Sequence, residues 1–328
     1  MKVAVFGAGR IAEVHVKGII RAGHEVAGIY DIRPEPANAL ATQYGCAAFA
    51  SPEDALGDPS IEAVVIGTST NTHSDYIIAC ARAGKRIFCE KPIDLSVEVA
   101  ENCWETIKSS NPFIHIGFNR RYDRHIRGLA EAVKSGELGK LENLTIISRD
   151  PAPAPIEYFK VSGGIFRDMT IHDFDIARFI LGGNPAEIFA TGSVLIDPEI
   201  GEIGDMDTTT VVMRSASGQL VQILNSRRAA YGFDQRIEAV CSNGMMQVDN
   251  ILLDATVKYT PERSAARARP MDFFLERYGE SYDEAWVDFF ARLDAGDEPG
   301  VTFDDGLQAL RIAEAANRSI RTGEIVKL

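Results

Sequence analysis

A carboxylate and an imidazole stand four residues apart, as Asp168 and His172, in the segment GGIFRDMTIHDFD of residues 163–175. Residues at this spacing share one face of an α-helix, so on a helix both side chains would converge on a single small molecule. A histidine that titrates near neutral pH is suited to take a proton from a hydroxyl group, and a nearby carboxylate can orient it. The spacing predicts a general-base pair, with a solvated ion pair on a helix surface as the alternative.

A glycine-rich turn near the first residue predicts a dinucleotide site. It lies between a predicted strand and a predicted helix, matches the pattern G-x-G-x-x-G/A, and consists of Gly7, Ala8, Gly9, Arg10, Ile11 and Ala12. The first glycine of such a motif permits a tight turn, and the second lets the backbone approach a pyrophosphate. Free amide groups at the start of the helix would then hold the phosphates.

Asp31 ends the second predicted strand, and its position bears on which dinucleotide binds. A carboxylate there can accept hydrogen bonds from the adenosine ribose and would repel a 2′-phosphate, which favours NAD over NADP. Arg33, two residues later, leaves NADP as the alternative, because an arginine nearby can accommodate the extra phosphate.

Two further segments follow predicted strands at their carboxyl ends, where ligands bind in open α/β sheets. The first is expected to line the cofactor or to cap the next helix, and it contains Thr68, Ser69, Thr70, Asn71, Thr72 and His73. The second, Cys89-Glu90-Lys91-Pro92, aims Lys91 at the same crevice. A surface lysine is ordinarily a solvated charge, but an ammonium group at this place can stabilise the negative charge that develops on an alkoxide.

The elements that must position these residues begin with an alternation of short apolar runs and amphipathic segments. Predicted strands cover Val3–Phe6, Val26–Tyr30, Ala63–Ile66, Arg86–Cys89 and Phe113–Ile116, and predicted helices cover Ile11–Ala22, Pro34–Tyr44, His73–Ala83 and Leu95–Ser109. This order predicts a doubly wound parallel sheet covered on both faces. We therefore predict an α/β protein in which residues 1–118 form an NAD(P)-binding Rossmann domain.

The pattern changes after Gly117, and residues 119–328 are predicted to form an α+β domain for substrate binding and oligomerisation. Its large, mostly antiparallel sheet would use strands at Leu141–Arg149, Glu187–Ile196, Thr208–Arg214, Gln219–Asn225 and Arg236–Cys241, with an edge strand over Ile325–Leu328. Predicted helices are Arg124–Lys134, the helix that carries Asp168 and His172, and two final helices at Tyr282–Ala295 and Asp305–Thr322 that could pack back on the Rossmann domain. A proline-stiffened loop over Asp150–Lys160 is expected to border the substrate pocket.

Composition narrows the possible function classes. The chain has 328 residues and a net charge of -13, which argues against nucleic acid or an anionic membrane as a partner. It shows no leader pattern and no apolar run of about 18 residues. Its five cysteines are widely spaced, which predicts neither a metal site nor a disulfide framework and fits a reducing cytoplasm. We expect a cytoplasmic protein that acts on a small molecule without a bound metal.

Together, these motifs resemble the Gfo/Idh/MocA oxidoreductase family over essentially the whole chain. The family features are the N-terminal fingerprint, the segment Thr68–His73, Glu90-Lys91-Pro92, and the spacing of Asp168 and His172. More specific blocks are similar to the inositol 2-dehydrogenases of that family: FCEKPIDL at 88–95, GFNRR at 117–121, SRDP at 148–151, GGIFRDMTIHDFDIARF at 163–179, and NSRR at 225–228 running to Tyr231.

The resemblance implies reversible hydride transfer between a ring hydroxyl carbon of a cyclic polyol and C4 of nicotinamide, as in inositol catabolism. It implies Lys91, Asp168 and His172 as the catalytic set. The implied cofactor contacts are Gly7, Ala8, Gly9, Arg10, Ile11, Asp31, Arg33, Thr68, Ser69, Thr70, Asn71, His73, Glu90 and Lys91. The implied substrate contacts are Lys91, Asn119, Asp168, His172, Asp175 and Tyr231. A homotetramer that packs through the open face of the C-terminal sheet is also implied.

Three hypotheses remain open from the sequence. The first is an NAD-dependent inositol 2-dehydrogenase that oxidises myo-inositol, or scyllo-inositol, to the inosose. The second is another sugar or polyol dehydrogenase of the same family, such as an aldose 1-dehydrogenase, that uses NADP. The third is a dinucleotide-binding regulator without catalysis, against which the intact set of Lys91, Asp168 and His172 argues.

Overall fold

A six-stranded parallel sheet organises the N-terminal part of the chain. The computed structural model describes all 328 residues, which form one unit of residues 1–122 and 280–310 and a second unit of residues 123–279 and 311–328. The strands of the first unit are β1 (Lys2–Phe6), β2 (Glu25–Tyr30), β3 (Ala47–Ala48), β4 (Ala63–Ile66), β5 (Arg86–Cys89) and β6 (Ile114–Ile116). Their order is β3-β2-β1-β4-β5-β6, that of a doubly wound dinucleotide-binding sheet. The predicted parallel α/β sheet is therefore confirmed.

Five helices alternate with these strands. They are α1 (Arg10–Arg21), α2 (Pro34–Tyr44), α3 (Pro52–Leu56), α4 (His73–Arg82) and α5 (Val97–Ile107), and short 3₁₀ helices cover Thr70–Thr72, Lys108–Ser110 and Asn119–Tyr122. The helix predicted to begin at Leu95 begins at Val97, because Ser96 is its N-cap and accepts a hydrogen bond from the amide of Val99 at 3.4 Å.

The core of the first unit gathers aromatic rings against the sheet. Phe88 of β5 stacks on Trp286 at 4.5 Å and on His115 at 4.8 Å between ring centroids. Gly18 lets α1 approach this cluster, since a Cβ atom at that position would lie 2.4 Å from Cδ1 of Trp286. Both Phe88 and Trp286 are buried, so burial of these rings stabilises the helix that follows the glycine-rich turn.

The second unit is built on a seven-stranded sheet that is antiparallel except for one pair. Its strands are β7 (Leu141–Arg149), β8 (Pro185–Ser193), β9 (Thr208–Ser215), β10 (Leu220–Ser226), β11 (Asp234–Cys241), β12 (Gly244–Val248) and β15 (Val326–Lys327), in the order β12-β11-β7-β10-β9-β8-β15. Strands β7 and β10 are parallel, and a separate small hairpin joins β13 (Val257–Lys258) and β14 (Ala266–Arg267). Strand β15 pairs with β8 at the edge, as the sequence predicted for the last residues.

Helices α6 (Arg124–Ser135) and α9 (Thr170–Leu181) pack on this second sheet. The second unit also contains α7 (Ile156–Ser162), α8 (Ile165–Asp168), α10 (Pro198–Glu202) and α11 (Phe274–Arg277). Of the last two helices, α12 (Gly279–Ala295) belongs to the first unit from Glu280 onward, and α13 (Phe303–Thr322) begins in the first unit and ends in the second. Side chains alternate between buried and exposed along β9, with Thr209, Val211 and Met213 buried. The opposite face carries exposed apolar side chains, among them Phe189 and Val212, which are register partners on β8 and β9.

Several predicted bounds shift by a few residues, and two predicted segments differ in kind from the structure. The loop expected over Asp150–Lys160 gives way to α7 at Ile156, immediately after Pro155, whose fixed backbone is compatible with the start of a helix. The single helix expected to carry Asp168 and His172 is broken at Met169 into α8 and α9. None of the helices combines the length and apolar character needed to cross a lipid bilayer.

Candidate active site

The glycine-rich turn between β1 and α1 has the shape that a dinucleotide pyrophosphate requires. Gly7 has φ +96°, and a Cβ atom there would lie 2.4 Å from the carbonyl oxygen of Gly67, so only glycine fits. The amide of Gly7 donates to the carbonyl of Tyr30 at 2.7 Å. Gly9 is the N-cap of α1, and a Cβ atom added to it would meet no heavy atom within 4 Å, so this side of the turn is open to a phosphate. These features fit NAD bound at the start of α1.

Asp31 lies directly beside this turn. Its Oδ2 accepts a hydrogen bond from the amide of Ala8 at 2.8 Å, and its Oδ1 accepts one from the amide of Arg33 at 2.9 Å. The guanidinium Nε of Arg33 lies 3.7 Å from Oδ1 of Asp31, and that side chain is 70% exposed. A carboxylate held at this place favours ribose hydroxyls over a 2′-phosphate.

The loop after β4 is tied to the segment that follows β5 by the ring of His73. Its Nδ1 lies 2.8 Å from the carbonyl oxygen of Pro92, and its Nε2 lies 3.1 Å from the carbonyl oxygen of Thr68. Burial lowers the pKa of His73, and a neutral ring has one N–H to donate to the two carbonyls. The hydroxyls of Thr68 and Thr72 also bond to each other at 2.8 Å. His73 thus begins α4 and joins the two loops.

Glu90, which precedes Lys91, is held by two residues that the sequence did not indicate. Nε1 of Trp286 donates to Nδ1 of His15 at 3.2 Å, and Nε2 of His15 lies 3.0 Å from Oε1 of Glu90. Because indole only donates, Nδ1 of His15 must accept, and Nε2 carries the proton that bonds to Glu90. Gly117 packs against the same carboxyl group, with only 3.0 Å between a Cβ there and Cδ of Glu90. Lys91 follows as a half-buried residue at the end of β5.

Asn119, a predicted substrate contact, begins the 3₁₀ helix Asn119–Tyr122 and is 3% exposed. Its Nδ2 donates to the hydroxyl of Ser281 at 3.2 Å. The side-chain amide of Asn119 thus forms a hydrogen bond to another residue of the first unit.

The relationship between Asp168 and His172 differs from the one predicted. Asp168 is the last residue of α8, whereas His172 lies in the first turn of α9. The amide of His172 bonds to the carbonyl of Met169 at 3.3 Å, three residues back, which is the spacing of a 3₁₀ turn. Gly163 and Gly164, both with positive φ, precede α8, and Gly164 is its N-cap. The two side chains are neighbours on consecutive short helices.

Both carboxylate oxygens of Asp168 accept hydrogen bonds from side chains that the spacing argument missed. Tyr158 donates its hydroxyl to Oδ1 at 2.6 Å, and Arg227 donates from Nη1 to Oδ2 at 3.1 Å. Arg227 is 2% exposed and also lies 3.5 Å from Oδ2 of Asp205. Arg227 stands in the NSRR block, but no sequence spacing linked it to Asp168, which lies 59 residues away.

Two aspartates farther along α9 are fully buried. Asp173 accepts hydrogen bonds from Ser148 at 2.6 Å and from Asn225 at 2.7 Å, and Thr170 donates to Asn225 at 2.7 Å. This buried, hydrogen-bonded network fixes α9 on the sheet. Asp175 is likewise fully buried.

Tyr231 belongs to a charged cluster at the end of β7 and the start of β11. Its hydroxyl donates to Oδ2 of Asp234 at 2.6 Å and accepts from Nη1 of Arg149 at 2.8 Å, while its residue surface is 47% exposed. Burial raises the pKa of Asp234, but hydrogen bonds from Arg236, Tyr231 and Asn250 outweigh this and lower it to about 2. The tyrosine hydroxyl is thereby fixed, and part of its ring faces outward.

Comparisons with known proteins agree over the whole chain. A family model described as an oxidoreductase family with an NAD-binding Rossmann fold matches residues 1–118, and a GFO/IDH/MocA C-terminal domain matches residues 126–247. The myo-inositol 2-dehydrogenase of Thermotoga maritima is 44% identical over 330 residues, covering 100% of this chain and 98% of the relative.

Solved structures of dehydrogenases also resemble this chain over its whole length. A myo-inositol dehydrogenase from Corynebacterium glutamicum has a TM-score of 0.96 at 41% identity, with 100% of this chain and 98% of that chain covered. A scyllo-inositol dehydrogenase from Lactobacillus casei, with bound NAD(H) and scyllo-inositol, has a TM-score of 0.91 at 25% identity, with the same two coverages of 100% and 98%. The chain therefore belongs to the Gfo/Idh/MocA family of oxidoreductases, and its first 118 residues are the NAD-binding Rossmann domain of that family.

Proposed function

We propose that this chain is an NAD-dependent inositol 2-dehydrogenase that oxidises a ring hydroxyl of myo-inositol to the inosose. The observation that carries the proposal is the end-to-end similarity to a myo-inositol 2-dehydrogenase, at 44% identity over 100% of the chain. The glycine turn and Asp31 support NAD as the cofactor. Scyllo-inositol is the second substrate to consider, because a structural relative binds it.

The proposed reaction removes one hydride and one proton from a CH–OH group and leaves a ketone. NAD supplies C4 of nicotinamide as the hydride acceptor. We propose that His172 takes the hydroxyl proton, because imidazole titrates near neutral pH. The Lys91 ammonium stabilises the oxygen as negative charge develops on it. Asp168 stays a carboxylate that orients His172 or a neighbouring ring hydroxyl and stabilises the protonated imidazole.

The proposed cofactor contacts come from four segments at the carboxyl ends of β1, β2, β4 and β5. They are Gly7, Ala8, Gly9, Arg10 and Ile11 after β1; Asp31 and Arg33 after β2; Thr68, Ser69, Thr70, Asn71 and His73 after β4; and Glu90 and Lys91 after β5. Ligands of doubly wound sheets bind at this edge. The bond between His73 and the carbonyl of Pro92 supports joint action of the segments after β4 and β5.

The proposed substrate contacts are Lys91, Asn119, Asp168, His172, Asp175 and Tyr231. Tyr231 is supported by its partly exposed ring and its fixed hydroxyl. Asn119 and Asp175 are buried polar residues, which fits side chains whose positions are fixed before a ligand arrives.

The test is a substrate panel read by NADH absorbance, with the purified protein, NAD or NADP, the inositol isomers, and aldoses including glucose. We expect oxidation of myo-inositol or scyllo-inositol with NAD and a much lower kcat/KM with NADP. Oxidation of an aldose alone, or activity with NADP alone, would replace this proposal with the sugar-dehydrogenase alternative. Binding of NADH without turnover of any polyol or aldose would favour the regulator.

We also propose that the protein is a homotetramer that packs through the open face of the C-terminal sheet. Support comes from exposed apolar side chains on that face: Phe189 is 37% exposed, Val212 is 41% exposed and Leu220 is 43% exposed. Light scattering tests this, with Val212→Glu expected to give smaller species and Val257→Glu, on the separate hairpin, expected to leave the assembly intact. A monomeric wild type would contradict the proposal.

A cytoplasmic location is proposed on the state of the cysteines. All five are free, and four of them, Cys80, Cys89, Cys103 and Cys241, are buried. Unpaired buried thiols fit a reducing compartment. Cell fractionation with an antibody tests this location, and recovery from an extracellular or periplasmic fraction would contradict it.

A further inference from the structure

We propose that Arg227 and Tyr158 are positioning residues that fix the Asp168 carboxylate for hydride transfer, an assignment that rests on the role proposed for Asp168 above. Arg227 donates to Oδ2 at 3.1 Å, and Tyr158 donates to Oδ1 at 2.6 Å. The two donors come from different elements: Arg227 follows β10, and Tyr158 lies in α7. Bonds from two directions restrain both the position of the carboxylate and the rotation of its plane.

Asp168 lies where two short helices meet. Helix α8 consists of four residues, Ile165–Asp168, and is followed after Met169 by α9. The amide of Asp168 bonds four residues back, to the carbonyl of Gly164 at 3.0 Å, whereas the amide of His172 bonds three residues back, to the carbonyl of Met169 at 3.3 Å. The backbone spacing therefore changes between Asp168 and His172. The side-chain bonds to Asp168 add a restraint at this irregular point.

Contacts within the second unit hold Arg227 in a fixed position, from which it can restrain Asp168. Its guanidinium lies over the ring of Phe159 with 4.1 Å from Cζ to the centroid, and the residue is 2% exposed. Nη2 lies 3.5 Å from Oδ2 of Asp205, whose Oδ1 accepts from the amide of Ile165 at 2.9 Å. The path from Asp205 through Arg227 to Asp168 therefore joins the first and last residues of α8. These hydrogen bonds restrain α8 at both of its ends.

The charges around Arg227 also support its role in positioning Asp168. One guanidinium lies between two carboxylates, those of Asp168 and Asp205, so a single cation attracts both groups and restrains their positions. Although 46% of the Tyr158 residue is exposed, partial burial, followed by the negative charge of Asp168, raises the pKa of Tyr158, and a phenol with a raised pKa remains a hydrogen-bond donor over the working pH range. Asp168 is thereby presented as a fixed carboxylate with 13% of its side chain exposed.

Three variants test the proposal in the full-length enzyme, with the best polyol of the substrate panel. Arg227→Gln should lower kcat by on the order of 10²-fold and move the acid limb of the kcat/KM profile to higher pH. Arg227→Lys keeps the cation and should return that limb to its wild-type position while restoring part of kcat. Tyr158→Phe removes one hydrogen bond and no charge, so kcat should fall by about tenfold with the limb unmoved. NADH affinity should be unchanged in all three.

Two matched controls separate positioning from general loss of stability. Arg277 forms another buried ion pair of the second unit, with Asp123, at side-chain exposures of 4% and 6%. Arg277→Gln should lower stability without moving the pH profile, because neither partner contacts Asp168. Tyr259→Phe is the control for the loss of a phenol hydroxyl at an exposed residue. Wild-type kcat and an unmoved acid limb in folded Arg227→Gln would overturn the role of Arg227, and wild-type kcat in Tyr158→Phe would overturn that of Tyr158.

Crystal structures of the same variants test the positioning role without any substrate. In Arg227→Gln we expect the Asp168 carboxylate to rotate away from its wild-type orientation, and in Tyr158→Phe we expect Oδ1 to lose its fixed direction. An unchanged carboxylate in both variants would overturn the inference. If the wild type oxidises no polyol, the proposed function fails while this structural result still decides whether Arg227 and Tyr158 position Asp168. Should Arg227→Gln fail to fold, Tyr158→Phe and Arg227→Lys carry the test.

Discussion

The carboxylate of Asp31 accepts a hydrogen bond from the amide of Ala8 at 2.8 Å, which joins the end of β2 to the middle of the glycine turn. The same group accepts from the amide of Arg33 at 2.9 Å. Asp31 therefore has two functions in one position: it shapes the phosphate-binding turn, and it places a negative charge where the adenosine ribose is expected. We therefore expect cofactor choice and loop conformation to be coupled through this side chain.

Replacing Asp31 by asparagine should weaken NAD use and relax the discrimination against NADP. Asparagine keeps an oxygen that can accept from Ala8, but it lacks the charge that strengthens bonds to ribose hydroxyls and repels a 2′-phosphate. We expect the ratio of kcat/KM for NAD to that for NADP to fall by about 10- to 100-fold. Arg33→Ala in the same background should reverse any gain with NADP. A ratio unchanged from wild type would show that Asp31 does not select the cofactor.

Substitution of Gly7 by alanine should abolish cofactor binding and destabilise the first unit. The residue combines φ +96° with a Cβ position 2.4 Å from the carbonyl oxygen of Gly67, so both the backbone and the adjacent loop must shift. Gly23 is a matched control, with φ +84° and no atom within 4 Å of a Cβ there. Gly23→Ala should cost about 1 kcal/mol of unfolding free energy and leave NADH affinity intact. Denaturant unfolding and NADH fluorescence measure the two effects, and equal losses in both variants would rule out the close contact as the cause.

The fold was predictable where local pattern and tertiary role agree. Strand β7 and helix α2 match their predicted bounds of Leu141–Arg149 and Pro34–Tyr44. The apolar run of a buried strand, and a proline at the start and glycine at the end of a helix, are local signals that packing reinforces. Met169 shows where prediction from local pattern fails, because a methionine residue does not indicate a helix break between Asp168 and His172. The positive φ values of the two glycines before α8 are likewise a feature that the residue types permit but do not specify.

The partners of the candidate site residues were not predictable because they come from other elements of the fold. Nε1 of Trp286 reaches His15 across 271 residues, and Glu90, a proposed cofactor contact, lies 75 residues from His15. Tyr158 and Arg227 reach Asp168 from a helix and from a strand end. A spacing argument identifies groups on one element, whereas these bonds depend on how several elements pack. Composition and periodicity carry no information about which buried donor meets which acceptor.

Removal of the imidazole in His172→Ala should lower the rate of polyol oxidation by on the order of 10²-fold or more. NADH affinity should stay nearly constant, because the proposed role is proton removal from the substrate. Lys91→Ala should be similarly damaging, and a modest effect there would indicate that Lys91 only positions the cofactor. His125→Ala, on helix α6, is the matched histidine control and should retain wild-type turnover. Steady-state kinetics and NADH fluorescence provide both quantities, and full turnover by His172→Ala would exclude His172 as the base.

Asp234 should make the stability of the protein depend on pH in the acid range. The folded state lowers the pKa of this carboxyl from 3.8 to about 2. Its stabilising contribution is therefore fully present at a pH above 3.8, the pKa in the unfolded chain, and is lost as the pH falls through the pKa in the folded protein. A shift of this size corresponds to about 2 kcal/mol at pH 7. Asp234→Asn should therefore be less stable than wild type by about that amount at pH 7, and the difference should vanish near pH 2. Urea unfolding across the acid range measures it, with the exposed Glu262→Gln as a control that should follow the wild type. A difference that is constant with pH would mean that Asp234 acts through packing and not through its charge.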